Sequence, residues 1–128
     1  MSADFSKTNL RRDVENSAVA FGLPDTFEAR FAKNVLDASD LGVSLQKLAP
    51  GTTMPFGHTH KEQPEEIYVV VAGGGTITVD EQEHEVEAWD AIHVAGPVAR
   101  HFSAGEDGLE ILAFGRIGEG QDAEMFPV

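Results

Sequence analysis

The sequence predicts an all-β fold, built as one sandwich or barrel domain. Three observations point there. The chain has 128 residues, the size of a single domain. From about residue 27 its apolar residues fall in short runs, without the long 3.6-residue periodicity of helices. Turn signals separate those runs: Ala-Pro-Gly at 49–51, three glycines at 73–75, Asp-Glu-Gln-Glu at 80–83, Ala-Gly-Pro at 95–97 and Ala-Gly-Glu-Asp-Gly at 104–108. Hydrophobic residues make up 41% of the chain, enough for a core.

Residues 1–26 read as an N-terminal extension without a regular periodicity, closed by a Gly-Leu-Pro-Asp turn at 22–25. The barrel is expected over 27–116, with strands at 29–36, 43–48, 53–60, 66–72, 76–80, 83–88, 91–94, 99–104 and 109–114. Within 83–88, Val86 and Ala88 share a face with His84, while Glu85 and Glu87 take the other. The run Ile-Tyr-Val-Val-Val-Ala at 67–72 is apolar on both faces. It reads as a central strand covered on both sides, with a second copy of the chain as one cover, so a homodimer is the default assembly. The three glycines at 73–75 read as a hairpin turn. A Gly-rich, acidic tail over 117–128 ends in Met125, Phe126, Pro127 and Val128, and one reading has it cross to another subunit.

Nine Lys and Arg against 22 Asp and Glu give a net charge of −13. That field repels phosphate backbones, so no nucleic-acid partner is expected. With no cysteine, disulfides and thiolate metal sites are excluded. The N-terminus has no apolar signal region and no run is long enough to span a membrane, so a cytoplasmic protein without membrane association is expected.

The chemistry concentrates at His58 and His60. Side chains at i and i+2 of a strand point the same way, so both imidazoles face one side. If residues 61–65 form a hairpin loop around Pro64, His60 stands opposite Glu66 and His58 opposite Tyr68. Glu65 then points away, unless a bulge exchanges the two glutamates. Two imidazoles and a carboxylate suit one divalent Zn, Fe, Mn, Ni or Cu ion. The alternative is a pair of solvated histidines at a strand end.

The segment from Gly51 to Gly73 resembles the first motif of the cupin superfamily, G-x5-H-x-H-x3-4-E-x6-G, with His58, His60, Glu66 and Gly73 at its named positions. Two spacers are one residue longer here. The second motif, G-x5-P-x-G-x2-H-x3-N, would fall on Trp89, Ala95, Pro97, Arg100 and Ala104, none of which matches it. The resemblance implies a double-stranded β-helix, a cupin jelly-roll barrel with its site in the mouth. It also implies one divalent metal (Zn, Fe, Mn or Ni) held by His58, His60 and Glu66. Cupins include dioxygenases, isomerases, epimerases, decarboxylases and non-catalytic binding modules, so the fold does not fix the function.

Arg100 stands where the family has a third histidine. It shares a face with Phe102 and Ala104, so it is expected to point inward and His101 outward. An arginine cannot ligate a cation, but it can hold an acid group by paired hydrogen bonds. The expected protein is therefore a metal-dependent enzyme on a small anionic molecule, with Arg100 and Tyr68 as substrate-binding residues. The alternative is a binding or sensing module in which an Arg100–Glu66 ion pair has replaced the metal. His84 and His93 read as exposed, Trp89 as a packing or interface anchor, and one of Gln46 and Lys47 as pointing inward.

Overall fold

Buried residues recur at alternate positions in several short runs, as at Phe27 and Ala29, Tyr68 and Val70, and Ile111 and Ala113, and strands form there. In the structure, a computed structural model describing residues 4–116 and 122–128, a one-turn helix α1 (Ser17–Ala20) precedes the strands. These are β1 (Phe27–Phe31), β2 (Gly42–Leu48), β3 (Gly57–His60), β4 (Glu65–Val79), β5 (Gln82–Glu87), β6 (Ala91–Ala95), β7 (Arg100–Gly115) and β8 (Ala123–Phe126). They form one curled, antiparallel sheet, so the chain is all-β as its sequence predicts. Among the described residues no helix is long and apolar enough to cross a membrane.

Two long strands organise the sheet. β4 pairs with β7 from Ile67↔Phe114 to Val79↔Arg100, and carries β5 and β6 on its other edge. Here the turn reading fails twice. The glycines at 73–75 do not turn a hairpin, and residues 104–108 do not end a strand. β4 and β7 run straight through, with register shifts between Val70 and Ala72 and between Gly73 and Gly75. The physical reason is close approach. A Cβ at Gly73 would lie 2.0 Å from the Gly108 carbonyl oxygen, and one at Gly75 would lie 2.0 Å from that of Ser103. Glycine marks a bulge in a bent strand here, as it does wherever two backbones crowd.

The expected β3–β4 hairpin is also replaced. β3 pairs instead with β7 through His58↔Arg100 and with β8 from Gly57↔Phe126 to His60↔Ala123. The C-terminal segment therefore returns to its own chain's β3. Along 67–72 the two faces differ: Tyr68 and Val70 are buried, Val69 and Val71 are half-buried, and Ile67 is exposed on the outer face beside Phe114. Trp89, read as an anchor, is 76% exposed. The interior packs Phe27, Leu48, Val70, Ile77, Phe102 and Ile111 around Tyr68.

Candidate metal centre

β3 and β4 are not neighbours, yet the curl of the sheet brings their polar residues together. His60 Nε2 lies 2.9 Å and His58 Nε2 3.5 Å from one atom, Oε1 of Glu66. One potential ligand atom from each residue lies within 4.8 Å of the other two, so the trio could hold a metal ion. The two imidazole rings stand edge to face, 4.9 Å apart. His58 Nδ1 is buried without a hydrogen-bond partner, an orphaned donor or acceptor of the kind native interiors avoid. Two nitrogens converging on a carboxylate, with a spare buried nitrogen beside them, match the donor set of a divalent-ion site.

The remaining neighbours fix Glu66. The Tyr68 hydroxyl donates to the same Oε1, and Arg100 Nη2 lies 3.4 Å from it. Arg100 is wholly buried; its Nη1 donates to the carbonyls of Gly96 (2.9 Å) and Val98 (2.8 Å). Burial pushes the Glu66 carboxyl up, but His58, His60 and Tyr68 overcome it and hold the group far below the usual carboxylate range. Burial also lowers His58, and here the pull of Glu66 does not compensate. For His60 burial lowers again, but Glu66 and Asp122 together outweigh it and raise the imidazole. Burial, then Glu66, pushes the Tyr68 hydroxyl well up.

A cavity of about 370 Å³ opens onto the trio. Phe27, Phe31, Phe56, Leu23 and Met125 give it an apolar wall; Ser44 and Gln46 add polar groups. Gln46 is thus the inward residue of the 46–47 pair, and Lys47 is exposed. Arg100 and Tyr68 do not line the cavity; they stand behind Glu66. His101 is half-buried on the opposite face of β7 from Arg100. Glu65 faces outward and pairs with exposed His93 at 2.9 Å, and His84 is exposed.

One residue of the cluster escaped sequence reasoning. Asp122, buried at the start of β8, places Oδ1 2.9 Å from His60 Nδ1. It lies 62 positions from its partner. The only local hint was the apolar Met125-Phe126 pair, which marks the C-terminus as a segment with something to bury.

Comparison with known proteins agrees with this architecture. The cupin domain family (Cupin_2) matches residues 44–114. Dimethylsulfoniopropionate lyase DddW of Ruegeria pomeroyi is 29% identical over 108 residues, covering 80% of this chain and 68% of the lyase. A cupin protein from Bacteroides fragilis, BF4112, superposes with a TM-score of 0.71 at 26% identity, over 93% of this chain and 88% of that one. Oxalate decarboxylase OxdC of Bacillus subtilis, in a mutant form, gives 0.72 at 18% identity, over 97% of this chain but 33% of its own length.

Proposed function

The chain belongs to the cupin family, and we propose that it is a metal-dependent enzyme acting on a small molecule with an anionic head and an apolar body. His58, His60 and Glu66 would hold one divalent cation (Zn, Fe, Mn or Ni by donor type). The observation that carries the reading is where the trio sits: three donors within 4.8 Å of one another, at the end of an otherwise apolar cavity. A metal there supplies Lewis acidity and open positions for a ligand.

The chain's own residues do the rest. Glu66 contributes one negative charge and Arg100 one positive, so a divalent cation leaves the centre net positive and selects an anionic head. Arg100 acts through Glu66; as a positioning residue it aims the carboxylate and adds charge without touching the ligand. Tyr68 fixes the same oxygen from another side. Phe27, Phe31 and Phe56 exclude water and take the apolar body, while Gln46, held to Ser44 at 3.2 Å, orients polar atoms on the wall. The likeness to a lyase of dimethylsulfoniopropionate supports a carboxylate head in the ligand; the sulfonium at the other end is charged and lends nothing to the apolar body.

One observation favours a second reading, a binding module without catalysis: the Arg100 guanidinium lies 3.4 Å from Glu66 and would repel a cation held there. Elemental analysis of untagged protein, followed by calorimetry with benzoate as a probe acid, separates the two. One bound metal per chain, lost in His58→Ala and His60→Ala, and metal-dependent benzoate binding are expected. Metal-free protein that binds benzoate would support the module, and a chain that binds neither would overturn both. The reading keeps the homodimer, with Ile67 and Phe114 of the outer face as its apolar contact; sedimentation tests it, and a monomer would remove it.

A further inference from the structure

We propose that Asp122 couples the C-terminal strand to the metal centre, so that docking of β8 and loading of the cation strengthen one another. The inference rests on the metal-centre reading above and deepens it.

One buried residue, Asp122, makes four hydrogen bonds here. Its Oδ1 meets His60 Nδ1 at 2.9 Å. Its Oδ2 accepts the backbone N–H groups of Glu62 (3.1 Å) and Gln63 (2.8 Å), which hold the loop that follows the ligand strand. Its own carbonyl accepts from the Lys61 N–H at 3.2 Å, which starts the β3–β8 pairing. An ionised carboxylate only accepts, so Nδ1 of His60 must carry a proton. Nε2 faces the Glu66 carboxylate at 2.9 Å and is a donor by the same rule, so a cation bound there would take the place of that proton. The side chain of Asp122 is 4% exposed, so water does not compete for the bond.

β8 is also part of the cavity. Ala123 and Met125 line it, and the Phe126 ring covers Gly57, where an added Cβ would come within 2.6 Å of that ring. β8 is a four-residue strand whose only partner among the described strands is β3. It is held by Asp122 at one end and Phe126 at the other. A cation on Nε2 pins the ring with Nδ1–H aimed at Asp122, so it holds the grip of Asp122 and with it the strand. By thermodynamic reciprocity, a docked strand raises metal affinity by the same factor. Asp122 is thus a positioning residue, and β8 is a strap whose seating is read at the metal.

The test uses the full chain, zinc as the probe metal and two readouts, competition with a fluorescent chelator and amide hydrogen exchange. Zinc is expected to slow exchange in β8 of the wild type and leave β5 unchanged. Asp122→Asn is expected to weaken zinc by about 10–100-fold and to abolish the zinc effect on β8. Phe126→Ala, which touches no ligand, loosens the strap at its far end and is expected to weaken zinc too; it keeps the test alive if Asp122→Asn folds poorly. Zinc that binds with wild-type affinity in both variants, or that binds the wild type without slowing β8, overturns the coupling and leaves the metal centre standing. A wild type that takes no zinc and no other divalent ion overturns the metal centre, and the coupling falls with it.

Discussion

Two parts of the interior are built from opposite materials. On one side Val70, Ile77, Phe102, Leu109 and Ile111 are each at most 3% exposed and contribute only apolar surface. On the other, His60, Arg100 and Asp122 are also buried, gathered with Tyr68 around or beside Glu66. The apolar part stabilises by area removed from water, and any side chain of similar shape would serve. The polar part is stable only as a set, because each member leaves another's charge or proton without a partner when it is removed. Such a cluster costs desolvation that an apolar core does not, which is why the proposed metal centre is placed there.

The largest effect that sharpens this contrast comes from one truncation on each side. Phe102→Ala and Glu66→Ala are each expected to lower unfolding free energy by about 3–5 kcal/mol, the first through a cavity and the second by stranding Arg100. Denaturant titration gives similar numbers from different causes, and double variants separate them. Glu66→Leu combined with Arg100→Met is expected to recover part of the loss, since no charge is left stranded, while Tyr68 and His60 still lack their acceptor. A double variant as unstable as Glu66→Ala would show that the ion pair itself, not the stranded charge, sets the cost.

Arg100→His tests the polar part next. The substitution removes the donor to the Gly96 and Val98 carbonyls, for an expected loss of about 1–3 kcal/mol. It also removes a positive charge beside the trio and adds an imidazole, so zinc affinity is expected to rise. Lower stability with higher affinity would mark Arg100 as a structural cation in a ligand's place; unchanged affinity would count against a metal at this trio.

How far the sequence reached follows the same division. His58, His60 and Glu66 were legible because strand alternation and motif spacing are local. The inward turn of Arg100 was legible from Phe102, which shares its face and is 1% exposed. The route was not legible. Nothing near Pro64 says that β3 will pair with β7 and β8, because strand pairing is settled by distant partners. The glycines at 73–75 misled because the lack of a Cβ serves a tight turn and a close backbone approach equally well, and here they bend β4 past Gly108 and Ser103. Asp122 was invisible because its partner lies 62 positions away. The seat of Arg100 was hidden for a related reason: its face could be read, but its place behind Glu66 depends on the curl of the whole sheet.

Acid separates the two parts by a smaller amount. Glu66 and Asp122 both titrate lower in the folded chain than in the unfolded one. Their contribution is complete above the ordinary carboxylate range and is lost as pH falls through it. His58, lowered by burial, acts in the same direction: protonating it below the ordinary imidazole range favours the unfolded chain. His60, raised, opposes this, and its contribution is complete below the ordinary imidazole value and lost as pH rises through the folded one. The chelator-treated protein is therefore expected to lose melting temperature as pH falls from neutral through the carboxylate range. The decline is expected to be shallower in Glu66→Leu/Arg100→Met, where the apolar part carries more of the fold. Parallel profiles for the two proteins would remove the Glu66 cluster as the source.

The smallest effect belongs to a pair that looks similar on paper. His93 Nε2 meets Glu65 Oε1 at 2.9 Å, the same separation as His60 and Glu66, but the two side chains are 58% and 62% exposed. Water screens the attraction, and holding both side chains in one geometry costs entropy. His93→Ala is therefore expected to change stability by no more than about 0.5 kcal/mol and to leave zinc affinity untouched. The control is matched to the inner pair in residue types and distance, and differs from it in burial and in the further partners that Glu66 and His60 have. A loss approaching that of Glu66→Ala would mean that the outer face is covered in solution, which is what a second copy seated over Ile67 and Phe114 would do.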